Sequence, residues 1–175
     1  MVKIDQCNYL KTVLQRCEMQ DAKSTTTPLL AGYMPKPVAQ GTVIDPELWS
    51  RYQTVIGSLL YLTLGTRLDI TFAVTKLAQF ATSPTQEHLS KALYICRYLV
   101  GTQKYHLKYD GMSGQGLIAC IDSNWASDPS NWKSQTEYFL KLAGGAMSWT
   151  SRAQKTIVPH PQKLNTWCYQ IVATK

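Results

Sequence analysis

What this chain lacks narrows its options before any motif is read. None of its 5 cysteines form a CxxC pair, because Cys7, Cys17, Cys96, Cys120 and Cys168 lie far apart. That spacing suggests neither a zinc site nor the framework of a small disulfide-bonded domain. Reduced thiols in an intracellular protein are the expectation. No apolar run approaches the about 20 residues that a membrane helix needs, and the opening MVKIDQCNYL is not a charged-then-apolar secretory leader. No internal repeat or low-complexity tract appears. The 3 histidines, His88, His106 and His160, have no serine, cysteine or carboxylate at a diagnostic spacing, which favours surface or capping roles over catalysis.

What is present suits one domain or parts of two: 175 residues, 45% of them hydrophobic, enough for a core. With 18 lysines and arginines against 11 acidic residues, the formal charge of +7 favours a polyanionic partner, nucleic acid ahead of an acidic membrane surface. Apolar spacing at Tyr9, Leu10, Val13 and Leu14 predicts a short first helix over residues 8–18. Residues 21–45, rich in proline, glycine and threonine, read as an irregular connection. Asp45 followed by Pro46 opens a second helix carrying Leu48, Tyr52, Val55, Ile56, Leu59 and Leu60 on one face. A further helix starts near Asp69, and SPTQEH caps another that Gly101 ends. The hydrophobic period then falls to two, so residues 106–110, 116–123, 134–144 and 146–151 read as strands separated by turns at Gly111 to Gly116, Asp128 to Asn131 and Gly144–Gly145.

Several stretches carry a family resemblance. YQTVIGSLLYLTLGTRLDITFAV, then PTQEHLSKALYICRYLVGT, then IDSNWASD with KSQTEYFLKLAGGAMSWTSRAQ, occur in one order over roughly residues 3–157. This succession resembles copia-type retrotransposon Pol polyproteins, in the region after the reverse-transcriptase palm and into the RNase H domain. The resemblance implies an α/β chain: a helical reverse-transcriptase C-terminal or connection segment over residues 1–110, then an incomplete RNase H-like β-sheet whose opening strands span residues 115–157. The family activities are RNA-directed DNA polymerase and RNase H. No YxDD sequence, the family's polymerase turn, occurs here, so DNA synthesis by this polypeptide alone is not expected.

RNase H chemistry uses two divalent ions about 4 Å apart, held by converging carboxylates that activate a water and stabilise the leaving oxygen. Magnesium requires near-octahedral oxygen ligation, which one carboxylate supplies weakly. By resemblance, Asp122 matches the first carboxylate of the family set and is the candidate catalytic and metal residue, while Asn124 replaces a nearby aspartate. Mg2+ is the cofactor of the intact family, and no stable binding is expected here. Asp122 alone reads more simply as a polar residue at a strand end, and Asp128 as a turn residue. Lys91, Arg97, Lys104 and Lys108 are candidate phosphate contacts for an RNA–DNA hybrid, with a solvated helix face as the alternative. Trp125 and Trp149 read as packing residues. Leu68, Asn124, Trp132 and Glu137 depart from the family pattern, and each departure fits one C-to-T or G-to-A change, the mark of a decayed copy. Glu137, where the family has glycine, is costly if buried without a partner and harmless if it points outward.

The reading is therefore a remnant of a reverse transcriptase/RNase H polyprotein, catalytically inactive by itself, with a basic nucleic-acid-binding module as the alternative. Its expected partner is an RNA–DNA hybrid or other nucleic acid, with no membrane and no small-molecule substrate, in the cytoplasm or nucleus. The segment 158–175 loses the hydrophobic period. Read in the adjacent frame, codons compatible with its residues accommodate S-S-T-E-A-E-Y-M, which resembles the family helix whose glutamate is a metal ligand. A single-base insertion or deletion near Ile157–Val158 accounts for both facts. Sequencing the locus is expected to reveal those codons, and their absence removes the frameshift reading.

Overall fold

The computed structural model describes residues 1–38, 43–112, 114, 116–124, 135–153 and 167–171. It is a mixed α/β chain that divides into two units: Asp5–His106, which is helical, and Met1–Ile4 with Leu107–Lys175, which holds the strands.

The helical unit contains α1 (Cys7–Arg16), α2 (Pro46–Gly65), α3 (Thr71–Ala78) and α4 (Gln86–Gly101), with a 3₁₀ turn, Leu68–Ile70, leading into α3. The starts of α2 and α4 have a side-chain cause. Asp45 accepts from the Glu47 backbone N–H at 3.0 Å, Pro46 fixes the first φ, and Glu47 places negative charge at the positive end of the helix dipole. At α4, Thr85 Oγ1 accepts from the His88 N–H at 3.2 Å while the Thr85 N–H donates to His88 Nδ1 at 3.2 Å, a reciprocal box with histidine in the place usually held by Glu or Gln. Residues 21–38 carry no helix or strand, in keeping with their turn-rich composition.

The apolar faces meet in one core of Leu10, Val13, Leu14, Tyr52, Ile56, Leu59, Leu62, Ile70, Val74, Leu77, Leu89, Ile95 and Leu99. Tyr52 is fully buried, and its hydroxyl donates to the Leu77 carbonyl at 2.7 Å, so the one polar atom it takes inside is satisfied. A Cβ on Gly65 would lie 2.3 Å from the Gln6 side-chain amide oxygen, which accepts from Thr66 Oγ1 at 2.9 Å, so a larger residue there would displace the Gln6 side chain.

The segment between α2 and α3 is pinned by a buried cation. Arg67, 2% exposed, donates from Nε and Nη2 to the two carboxylate oxygens of Asp69 at 3.0 and 2.8 Å. Its Nη2 also donates to Thr102 Oγ1 at 2.6 Å and its Nη1 to the Thr102 carbonyl at 3.3 Å. Asp69 in turn accepts from the Tyr98 hydroxyl at 2.9 Å. Burial, reinforced by that bond to a carboxylate, pushes the Tyr98 phenol up to about 12.

In the strand unit, β1 (Val2–Ile4) pairs antiparallel with β2 (Leu107–Tyr109), with Val2 opposite Tyr109 and Ile4 opposite Leu107. A four-stranded antiparallel sheet has the order β5-β4-β3-β6, built from β3 (Leu117–Asn124), β4 (Gln135–Leu142), β5 (Gly145–Ala153) and β6 (Trp167–Ile171). β4 and β5 are joined by a two-residue turn whose central residues, Ala143 and Gly144, both have positive φ, 49° and 82°. That is the condition for a type I′ hairpin, whose twist matches the flanking strands. The turn thus lies one residue earlier than the Gly144–Gly145 expected. A register shift at Leu140/Lys141 places a bulge in the same hairpin. Three successive antiparallel strands, β3, β4 and β5, are consistent with a partial RNase H-like fold.

Three features differ from expectation. β1 has no periodic signal, being only 3 exposed residues long, and exists because β2 supplies its ladder. Trp167–Ile171 forms β6 within the stretch read as lacking structural pattern, paired to β3 from Leu117↔Ile171 to Ile121↔Trp167. The cysteines are not all reduced: Cys120 is disulfide-bonded, and its Cα partner across β3 and β6 is Cys168. The remaining tail residues 158–166 and 172–175 and the turn at Asp128 to Asn131 lie outside the described residues.

Removing Asp69 leaves a buried guanidinium short of its anion, so Asp69→Ala is expected to cost about 3 kcal/mol or more in a urea unfolding experiment. An exposed-pair loss of well under 1 kcal/mol would contradict the role given to this contact.

Candidate functional site

Strand β3 carries Asp122 by simple alternation, and the antiparallel register decides what stands beside it. Asp122 is opposite Glu137 on β4, and Glu137 is opposite Ser151 on β5. Directly opposed residues share a face of the sheet, so a row of two carboxylates and a hydroxyl crosses three strands. Ser151, 6% exposed, donates from Oγ to Glu137 Oε1 at 2.7 Å. Glu137 is half-buried with a partner, which resolves the two alternatives set out for it: it is neither an orphan in the core nor turned fully into solvent.

This row does not fit a two-metal centre. Among the described residues no group of three or more His, Cys, Asp or Glu side chains converges as metal ligands. Asp122 and Glu137 contribute two carboxylates, and one Glu137 oxygen is already engaged by Ser151. Near-octahedral ligation of magnesium by one or two such groups leaves most of the coordination sphere to water.

The basic candidates fall into different settings. Lys91 and Arg97 both lie on α4, yet each is turned to a local partner. Lys91 Nζ sits 4.8 Å from the centre of the Tyr33 ring, and Arg97 Nε donates to the Lys23 carbonyl at 2.7 Å with its guanidinium 5.6 Å from the Tyr94 ring. Both therefore fasten the irregular segment after α1 to the helices. Lys104 is exposed beyond the end of α4, and Lys108 is exposed on β2, in the other unit. Trp149 on β5 is half-buried, whereas Trp125, Asp128 and Trp132 lie outside the described residues, as does the side chain of Asn124.

The histidines divide likewise. His106 is exposed and its ring Nδ1 bonds the Lys104 carbonyl at 3.0 Å, while His160 lies outside the described residues. His88 is a capping residue but not a surface one: it is 1% exposed and its ring stacks on Phe80 at 4.4 Å between centroids. Burial lowers its pKa below the ordinary 6.5, outweighing an opposing bond to the Lys36 backbone. Of the surface or capping roles expected for the histidines, His88 takes the capping one, and its burial is what sequence reasoning missed.

The chain is 34% identical over 155 residues to the retrovirus-related Pol polyprotein from transposon RE1 of Arabidopsis thaliana, covering 89% of this chain and 10% of that protein. It is 36% identical over 158 residues to the retrovirus-related Pol polyprotein from transposon TNT 1-94 of Nicotiana tabacum, covering 88% of this chain and 12% of that protein. A third relative, secreted RxLR effector protein 161 of Plasmopara viticola, is 36% identical over 106 residues, 61% of this chain and 75% of its own length. The chain thus spans about a tenth of the length of the two polyproteins. No family model matches it, and no solved structure does.

A depressed histidine pKa makes stability depend on pH. The unfolded chain takes up a proton at His88 near pH 6.5 and the folded chain only lower, so the contribution is fully present above about pH 6.5 and is lost as pH falls towards the folded value. Urea midpoints are expected to fall between pH 7 and pH 5, and His88→Gln, which keeps an acceptor for the Thr85 N–H, should flatten that slope. An unchanged slope in the variant would remove His88 as its source.

Proposed function

Since the chain belongs to the Pol polyproteins of copia-type retrotransposons, we propose that it is a remnant of the reverse transcriptase and RNase H region of such a polyprotein, unable by itself to copy or cut nucleic acid. The observation that carries this reading is the poverty of the acidic row: Asp122 has Glu137 opposite it, and no third ligand converges there among the described residues. Hydrolysis by two divalent ions needs more oxygen ligands than this. The YxDD turn on which the family's DNA synthesis depends does not occur in the sequence.

Under this proposal the helical unit corresponds to the reverse-transcriptase C-terminal or connection segment, and β3, β4 and β5 to the first strands of an RNase H-like sheet. The natural partner of that region is an RNA–DNA hybrid, and the setting is intracellular. Among the described residues no helix is long and apolar enough to cross a membrane.

The basic-module reading has the formal charge of +7 in its favour. Lys91 and Arg97 each already make an intramolecular contact, Lys91 with the Tyr33 ring and Arg97 through Nε with the Lys23 carbonyl.

The test is an end-labelled RNA–DNA hybrid incubated with the purified chain in magnesium. The expected result is cleavage no greater than the protein-free blank, with Asp122→Ala indistinguishable from the parent. Magnesium-dependent cutting abolished by Asp122→Ala would overturn the proposal. Tight hybrid binding without cutting, falling steeply as salt rises, would replace it with the basic module.

A further inference from the structure

The acceptor in the box at the start of α4 is a titratable one. A backbone N–H only donates, so the 3.2 Å bond from the Thr85 N–H to His88 Nδ1 exists while that nitrogen keeps its lone pair. The box therefore fixes the ring as the neutral tautomer with its proton on Nε2. A glutamine in this place would present an oxygen that accepts at every pH, whereas an imidazole loses its acceptor on taking up one proton. Turning the ring over does not restore the bond, because both nitrogens of an imidazolium are donors.

The surroundings favour the neutral ring. His88 is 1% exposed, and its ring lies 4.4 Å from the Phe80 ring and 6.4 Å from the Tyr52 ring of α2, between centroids. Burial disfavours the charged form more than the Lys36 backbone and Glu87, its exposed neighbour on α4, favour it. Burial also raises the two phenols on this side of the unit, Tyr52 and Tyr33, the latter to about 12, so both stay neutral in acid and bring no charge to the ring.

The two ends of α4 are held by different chemistry. Beyond its last turn, the hydroxyl and carbonyl of Thr102 accept from Arg67 at 2.6 and 3.3 Å, and neither group takes up a proton in mild acid. Before its first turn, residues 79–85 form no helix or strand and are held by single turn bonds, Phe80 N–H to the Leu77 carbonyl at 2.9 Å and Ser83 N–H to the Phe80 carbonyl at 3.2 Å. A segment held in this way opens more easily than the packed helix that follows it.

We propose that His88 makes the start of α4 an acid-sensitive latch: a proton on Nδ1 breaks the Thr85–His88 box and opens residues 80–88 locally, while the rest of α4 stays packed. The closed form does not accept this proton without losing the box, so the open form takes it, with an imidazole that titrates near pH 6.5. Opening is then favoured by a factor that is close to one above that pH and grows as pH falls, about 25-fold between pH 7 and pH 5. The latch is closed at neutral pH and loosens in acid. It identifies which segment yields first, a matter separate from the stability of the whole unit.

The experiment follows amide hydrogen exchange of the full chain by mass spectrometry at pH 7 and pH 5, with rates referred to an unstructured peptide at the same pH. Protection at Thr85–His88 is expected to fall about 25-fold, with residues 92–99 unchanged. In His88→Gln, protection at the first turn should be the same at both pH values. The proposal is overturned if the first turn keeps its protection at pH 5, if it loses as much in His88→Gln, or if residues 92–99 lose protection in parallel, which would mark global unfolding. A second measurement needs no variant: a long-range nitrogen–proton correlation spectrum at pH 7 should show His88 protonated at Nε2, and a proton on Nδ1 would overturn the proposal by itself.

Discussion

The buried Arg67–Asp69 pair is the constraint on which the helical unit depends. A guanidinium 2% exposed has to find acceptors for its donors inside the protein, and it finds them on two elements at once. Asp69 belongs to the turn that follows α2, whereas Thr102 closes α4, so satisfying one cation fixes where two helices end relative to one another. Tyr98, one turn before Thr102, bonds the same carboxylate. Guanidinium contacts with the Tyr98 and Tyr105 rings, at 5.7 and 5.5 Å, cover its faces. The apolar stripes supply the bulk of the burial, but being non-directional they do not by themselves choose this arrangement.

How much of this was legible depended on how local its cause was. The start of α2 was readable because Asp45, Pro46 and Glu47 act on neighbouring backbone atoms. The spacing of Tyr52, Val55, Ile56 and Leu59 then determined which face would be buried. The start of α4 was readable as a hydroxyl cap and a capping role was among those expected for His88, but its burial against Phe80 was not, since that depends on tertiary packing. β1 and β6 were illegible for a different reason. Neither has a pattern of its own, and each is defined by a partner more than 40 residues away, β2 in one case and β3 in the other. The disulfide at Cys120 is invisible to cysteine spacing along the chain.

The candidate site shows the same division. Asp122 was identified by resemblance, and its place on a strand by alternation. That Glu137 stands directly across from it, and Ser151 across from Glu137, is a matter of register, which the turn and bulge between β4 and β5 set. A substitution that looked like damage when read as glycine to glutamate turns out to sit in a hydrogen bond. Lys91 and Arg97 looked like a charged face because helical spacing gives direction but not occupancy. The segment that occupies them, residues 23–33, has no period from which its path is readable.

Gly145 opens β5 where the backbone of β2 passes so close that a methyl group would lie 2.6 Å from the Lys108 carbonyl oxygen and from the Tyr109 ring. Most strand positions tolerate replacement, but this one admits no side chain without parting two strands. Codon 145 therefore serves as a gauge of purifying selection: sister copies that retain glycine there while diverging elsewhere are still being held to a foldable product, and those that have lost it have been released.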